Sequence, residues 1–289
     1  MVYKMLALNI DGTLLQENGR ISRPTREAIE YAVSKGIAVT IATSQNFHAA
    51  RRTAKALKLN TNIISNHGAY IASDIHKPVF VKRIHEQIAS EICAFLEGFD
   101  CRIKLIHEQF SVGNKVKLPD NMVAKIVFQT SNRLIYSEQY VDSLSERLSG
   151  QPVAPLNIEA MFRSESDRED AKKALEEMYD EIACIRGEGL ELFLTASGVS
   201  KLAGVQYLCG RLNISREEVV AIGSGFLDIP LVEWAGVGVA MGNSPDSLLK
   251  SADWITRTNQ DNGVAYMVKE HFRKQHRLEF LKEMNVMKE

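Results

Sequence analysis

The residues able to do chemistry fall in four short segments. Asn9-Ile10-Asp11-Gly12-Thr13 follows a β-type run at 4–8. At a strand end alternate residues share a face, so the side chains of Asn9 and Asp11 can converge on one point beyond a sheet, while Gly12 lets the chain turn away. Asp-Gly alone is a common turn, but three other segments add to it. Thr43 ends a second apolar run with a hydroxyl, and Ser200-Lys201 opens a helical pattern, where a lysine and free backbone N–H groups can hold phosphate. Gly223-Ser224-Gly225 follows the apolar run 219–222, and Asp228 opens the next helix. A carboxylate, hydroxyls and a lysine at the ends of apolar runs make a set suited to an anion.

Something must bring these segments to one edge. Short β-rich runs at 4–8, 37–42 and 62–64 alternate with helical patterns at 24–35 and 47–57, which predicts a parallel sheet with crossover helices. Pro24 suits the first position of its helix, and Lys35-Gly36 gives a basic last turn with a glycine beyond it. The rhythm resumes downstream with helices at 199–210 and 228–235, strands at 219–222 and 237–240, and a helix at 245–250. Between these halves the pattern changes: helices at 85–96, 137–148 and 167–178 alternate with β-type runs at 102–106, 123–129, 153–160 and 181–185. The expectation is a discontinuous α/β core over 1–82 and 190–289, with an α+β insertion over 83–189 able to form its own core as a cap over the carboxyl edge of the sheet. The tail 271–289 has the spacing of an amphipathic helix, read first as a last helix packed on the domain.

Composition narrows the partners. The chain has 289 residues, and 35 Lys and Arg against 36 Asp and Glu leave a net charge of −1, so no global positive field draws a nucleic acid or an anionic membrane. Any anionic ligand must be held locally. The cysteines at 93, 101, 184 and 209 are far apart and form no C-x-x-C pair, which argues against a zinc site or a disulfide framework and suits a reducing cytoplasm. No apolar run reaches membrane-spanning length and the amino terminus lacks a signal-peptide pattern, so a cytoplasmic location is expected.

The four segments together resemble the haloacid dehalogenase (HAD) superfamily, and within it the Cof-type phosphatases that carry an α/β cap. Stretches at 63–71, 198–201, 236–244, 248–256 and 261–265 support the resemblance in the expected order. It implies a Rossmann-like parallel-sheet core and magnesium-dependent hydrolysis of small phosphorylated metabolites. In that family the first loop reads Asp-x-Asp-Gly-Thr, its first Asp attacking phosphorus and its second serving as acid and then base. Carried over by position, Asn9 stands at the nucleophile site, Asp11 is the acid/base, Thr43 and Lys201 are phosphate contacts, and Asn243 is a further binding candidate. Asn9, Asp11, Ser224 and Asp228 fall at the metal site. Gly242-Asn243-Ser244 also reads simply as a turn before a helix, and His67, a lone histidine after a core strand, is left out of the catalytic set.

The motifs depart from the family where the chemistry is most demanding. Asn9 is an amide and cannot form an acyl-phosphate; Ser224 and Leu227 replace an Asp and an Asn, and Thr43-Ser44-Gln45 stands where Thr-Gly-Arg is common. Magnesium prefers hard anionic oxygens, and this set keeps chiefly the Asp11 backbone carbonyl and Asp228, so weak Mg2+ binding is expected. Loss of a covalent nucleophile can cost on the order of 10⁶ in rate, about 8 kcal/mol of barrier. The expected function is therefore a phosphatase-like protein, impaired or inactive, that binds a phosphorylated metabolite in a regulatory role. The alternative is a working Mg2+-dependent sugar-phosphate or nucleotide phosphatase.

Overall fold

A computed structural model describes residues 2–115, 136–187, 189–273 and 275–276. The chain opens with β1 (Met5–Leu8), α1 (Arg23–Ser34), β2 (Ala38–Ile41), α2 (Phe47–Ala56), β3 (Ile63–Ser65), β4 (Tyr70–Ala72) and β5 (Pro78–Val81). There follow α3 (Glu86–Leu96), β6 (Cys101–Ile106), β7 (Phe110–Asn114), β8 (Ser137–Val141), α4 (Leu144–Gly150), β9 (Asn157–Phe162), α5 (Glu165–Met178), β10 (Ile182–Arg186) and β11 (Glu191–Ala196). The last stretch holds α6 (Lys201–Leu212), β12 (Val219–Gly223), α7 (Ile229–Trp234), β13 (Val237–Ala240), α8 (Asp246–Ser251), β14 (Trp254–Ile255) and α9 (Gly263–Phe272). Two compact units result, one of Met1–Phe80 with Ser200–Glu289 and one of Val81–Val199.

The first unit is a parallel α/β layer. Its five-stranded sheet runs β14-β13-β12-β1-β2, every pair parallel, and a single bridge from Ala42 to Ile64 continues it toward β3. Parallel strands covered by helices on both faces should be apolar throughout rather than alternating, and Met5–Leu8 and Val219–Gly223 are buried at every position. Full burial of side chains such as Met5, Leu6 and Leu8 is worth roughly 1.5–3 kcal/mol each. From the β1–β12 pair the chain winds outward in opposite directions, to β2 on one side and to β13 and β14 on the other. Ligands of open α/β sheets bind beyond the strand ends at such a switch point, and Asn9 and Ser224 leave the sheet there.

Helix ends in this unit follow their caps. Ser22 precedes α1 and its side chain accepts from the Thr25 N–H at 3.2 Å, so Pro24 takes the second helical position rather than the first. Its missing N–H falls among groups without an intrahelical partner in either place. Gly36, at φ +84°, closes the helix in the left-handed region. Asn46 caps α2 through Ala49 N, and Ser200 caps α6 through Ala203 N.

The second unit carries a six-stranded sheet, β10-β11-β9-β6-β7-β8, with every pair antiparallel except β7–β8. Ile92 and Leu96 of α3, Leu144 and Leu148 of α4, and Ala171 and Leu175 of α5 join Ile103, Leu105, Ile158 and Leu192 of the strands in one core. Two expectations need correction. The helix expected over 137–148 is β8 followed by α4: among the described residues β8 is an edge strand, and its Glu138 and Tyr140, two residues apart and therefore on one face, reach Lys104 and Arg102 of β6. The break comes at Ser143, whose side chain caps α4. The boundary at 190 also moves, because β11 lies between β9 and β10 and pairs with both, so the second unit runs to Val199. The expected strand at 123–129 and most of the expected tail helix, 277–289, lie outside the described residues. Among the described residues no helix is long and apolar enough to cross a membrane.

Candidate active site

Three chain segments meet at the carboxyl ends of β1 and β12. Asn9 extends the β1 ladder by one bond, its N–H donating to Ile222 O at 3.1 Å, before the chain turns through Ile10–Leu14. The turn needs Gly12 twice over. Its φ is +65°, and a Cβ there would lie 2.7 Å from Ser224 Oγ. On the neighbouring strand Gly223 leaves room for the Asp228 side chain, whose Cβ would sit 2.3 Å from a Cβ at 223. The third segment is the start of α6, which presents Lys201, only 5% exposed.

Asp228, 1% exposed, is the hub. Its Oδ1 accepts from Lys201 Nζ at 2.8 Å, and its Oδ2 accepts from Ser224 N at 2.9 Å, Gly225 N at 3.1 Å and Asn9 Nδ2 at 3.0 Å. Asn9 Nδ2 also donates to the Asp11 carbonyl at 3.1 Å, while Asn9 Oδ1 accepts from Lys201 Nζ at 3.3 Å. With two acceptors beside its nitrogen and an ammonium beside its oxygen, the amide has one workable orientation, since the flipped form would set like against like at every contact. Ser224 Oγ donates to the same Asp11 carbonyl at 2.7 Å and accepts from Thr13 Oγ1 at 3.1 Å.

The expected convergence of Asn9 and Asp11 takes a different form. Asn9 reaches the backbone carbonyl of Asp11, whereas the exposed Asp11 carboxylate turns to Gln45, whose Nε2 donates to its two oxygens at 2.8 and 2.9 Å. Gln45 N donates to Thr43 Oγ1 at 3.2 Å, which ties the buried Thr43 to the same network. Asn243 joins from the other side, Nδ2 donating to Gly12 O at 2.9 Å and Oδ1 accepting from Asn259 N at 3.0 Å. Six of the seven singled-out residues, Asn9, Asp11, Thr43, Lys201, Ser224 and Asp228, thus belong to one hydrogen-bonded set, and Asn243 holds the same loop at Gly12. Sequence reasoning gave no role to Gln45, Thr13 or Asn259. Gln45 had a signal, two residues past Thr43 in the loop beyond the strand next to β1.

His67 sits in the turn after β3 at φ +59°, buried. Burial, and then the charge of Lys201, push its imidazole down to about 3, so it is neutral near pH 7. Burial likewise disfavours the thiolate form: all four cysteines are free, and burial raises Cys93 and Cys101 to about 12 and Cys184 and Cys209 to about 11.

The donor set does not fit magnesium. The two groups expected to ligate it, the Asp11 carbonyl and Asp228, both face N–H or O–H donors: three N–H groups crowd Asp228 Oδ2, and the Lys201 ammonium sits on Oδ1. Asn9 Nδ2 lies against both, in the role a cation would take, and Lys201 supplies the neutralising charge. Among the described residues no group of three or more His, Cys, Asp or Glu side chains is placed to hold a metal.

Against known proteins, residues 6–268 match the family model of haloacid dehalogenase-like hydrolases. The stress response protein YhaX of Bacillus subtilis is 41% identical over 281 residues, spanning 97% of each chain. The 5-amino-6-(5-phospho-D-ribitylamino)uracil phosphatase YcsE of the same organism is 26% identical, over 92% of this chain and 94% of its own. A solved haloacid dehalogenase-like hydrolase from B. subtilis superposes with a TM-score of 0.79 at 23% identity, over 93% of this chain and 99% of that one, a likeness of fold.

Proposed function

The chain belongs to the haloacid dehalogenase-like hydrolase family, and from that premise we propose that it binds a small phosphorylated metabolite without aspartyl-phosphate turnover, in a regulatory role. The observation that carries this reading is the Asn9 amide. It stands where the family places its nucleophile, bears no full negative charge, and spends its nitrogen on Asp228 and the Asp11 carbonyl.

The same residues retain the means to hold an anion. Lys201 has three N–H donors, of which Asp228 and Asn9 take two, and a phosphate oxygen takes the third. Thr43 accepts from Gln45 N and keeps its hydroxyl hydrogen to donate. The ligand class agrees with YcsE, whose name gives a phosphorylated small molecule as its substrate. Asp11 is the acid/base candidate, but it waits on Gln45 beside a position that cannot start the reaction.

The test is hydrolysis of a panel of small phosphoesters, with and without Mg2+, by the unmodified protein and by Asn9→Asp with Ser224→Asp, after mass spectrometry has verified residue 9. The expected result is a parent at background, stabilised by at least one phosphoester, and a double variant that gains both turnover and Mg2+-dependent thermal stability. Saturation at 100 times Kd would stabilise the parent by about 2.7 kcal/mol. Parent turnover that Asp11→Ala abolishes would overturn the reading and make the protein a working phosphatase.

A further inference from the structure

A second site lies in the first unit, outside the Asn9–Asp228–Lys201 network. The loop after β1, the first turns of α1 and one face of α2 border an open, cleft-like cavity of about 540 Å³, within the size range of small-molecule sites. Arg20, Arg26 and Arg52 line it, and among the described residues no Asp or Glu does. Ile21 and Ala49 add an apolar wall.

The arginines of these same helices divide by direction. Arg23 pairs with Glu27 at 2.6 Å and Arg51 with Asp74 at 3.1 Å. Arg26 and Arg52, three and one residues further along, line the cavity, and among the described residues neither they nor Arg20 has a carboxylate partner. Elsewhere on this nearly neutral chain, acidic groups stand close enough to be used. Three guanidinium groups gathered without a counter-charge repel one another, and each presents a planar fork that fits two phosphate oxygens at once.

We infer that this cavity is a binding site for a small polyanion carrying a diphosphate group, held by Arg20, Arg26 and Arg52. Two linked phosphates present enough oxygens to engage three guanidinium forks, and an anion in the cavity turns their mutual repulsion into attraction. Gln45 also lines the cavity while its Nε2 holds the Asp11 carboxylate. A ligand there is one side chain away from Asp11.

The experiment is calorimetric titration of inorganic pyrophosphate, without metal and at constant ionic strength, into three proteins. They are the unmodified chain, Arg26→Gln with Arg52→Gln, and Lys201→Met with Asp228→Asn, which removes the buried ion pair as a unit. Both arginines are exposed, so their variant should fold. The expected result is binding to the unmodified chain, at least tenfold weaker binding to the arginine variant, and little change in the ion-pair variant. Absence of binding up to about 1 mM, where only about 4 kcal/mol is at stake, would overturn the inference. So would a loss in the arginine variant no larger than that in the ion-pair variant. A loss in the ion-pair variant that equals or exceeds the loss in the arginine variant would place the pyrophosphate at the Asn9 centre, which overturns this inference while supporting the phosphoester reading of that centre.

Discussion

The two charged regions of the first unit are built on opposite plans. Around Asp228 every charge is matched: Lys201 faces one carboxylate oxygen, and three N–H groups face the other. Around the cavity between α1 and α2, three arginines have no carboxylate among the described residues. A buried charge left unmatched is costly, whereas an exposed one is cheap to keep waiting. The comparison shows why an amide at residue 9 and a hydroxyl at residue 224 leave no buried charge unmatched at the first site. Asn9 and Lys201 satisfy Asp228 from within the protein, and the charge left open to solvent lies at the arginine cavity.

The sharpest way to break this contrast is to unmatch the matched site. Lys201→Met leaves Asp228 buried with its backbone and amide donors but no counter-charge, and should cost about 3–5 kcal/mol in urea unfolding. Adding Asp228→Asn should return most of that loss, since the new amide oxygen still accepts from Ser224, Gly225 and Asn9. A double variant as unstable as Lys201→Met would mean that Lys201 acts through packing and not through charge.

The next effect depends on pH and is smaller only within any one pH unit. His67 is held near 3 in the folded protein by burial and by Lys201, against an ordinary value of 6.5. Between those limits the unfolded chain binds a proton that the folded chain refuses. This part of the stability is therefore complete above pH 6.5 and declines by about 1.4 kcal/mol for each unit of acidification below it, levelling off near pH 3. His67→Asn, which tolerates the positive φ at that turn, should flatten the decline between pH 6.5 and 4. Parallel curves for parent and variant would show that the imidazole titrates normally.

How much of this could be read from the chain alone depends on whether the deciding partner is near in sequence. The parallel sheet was legible because β1 and β12 are apolar at almost every position, and α1 because Pro24 and Lys35-Gly36 mark its two ends. The 137–148 segment misled because an exposed edge strand shows no apolar alternation, only a polar pair at 138 and 140 whose partners lie on β6. The order of Asn9, Thr43, Lys201 and Asp228 pointed to one site. The direction of each hydrogen bond within it did not show, since whether Asn9 turns its nitrogen or its oxygen to Asp228 is set by Lys201, 192 residues away. The arginine cavity left no motif, because residues 20, 26 and 52 come from a loop and two helices that only the fold brings together.

The smallest effect probes the unmatched site. If Arg20, Arg26 and Arg52 repel one another in the free protein, Arg52→Gln should leave it as stable as the parent or more so, by a few tenths of a kcal/mol, the usual scale for exposed charges. The gain should shrink as salt rises, because at 1 M the screening length falls to about 3 Å. An exposed arginine held in a hidden ion pair would give the opposite sign, a loss on substitution that salt also erases. Thermal melts of parent and variant at low and high salt therefore separate a charge kept open for a ligand from one already matched within the protein.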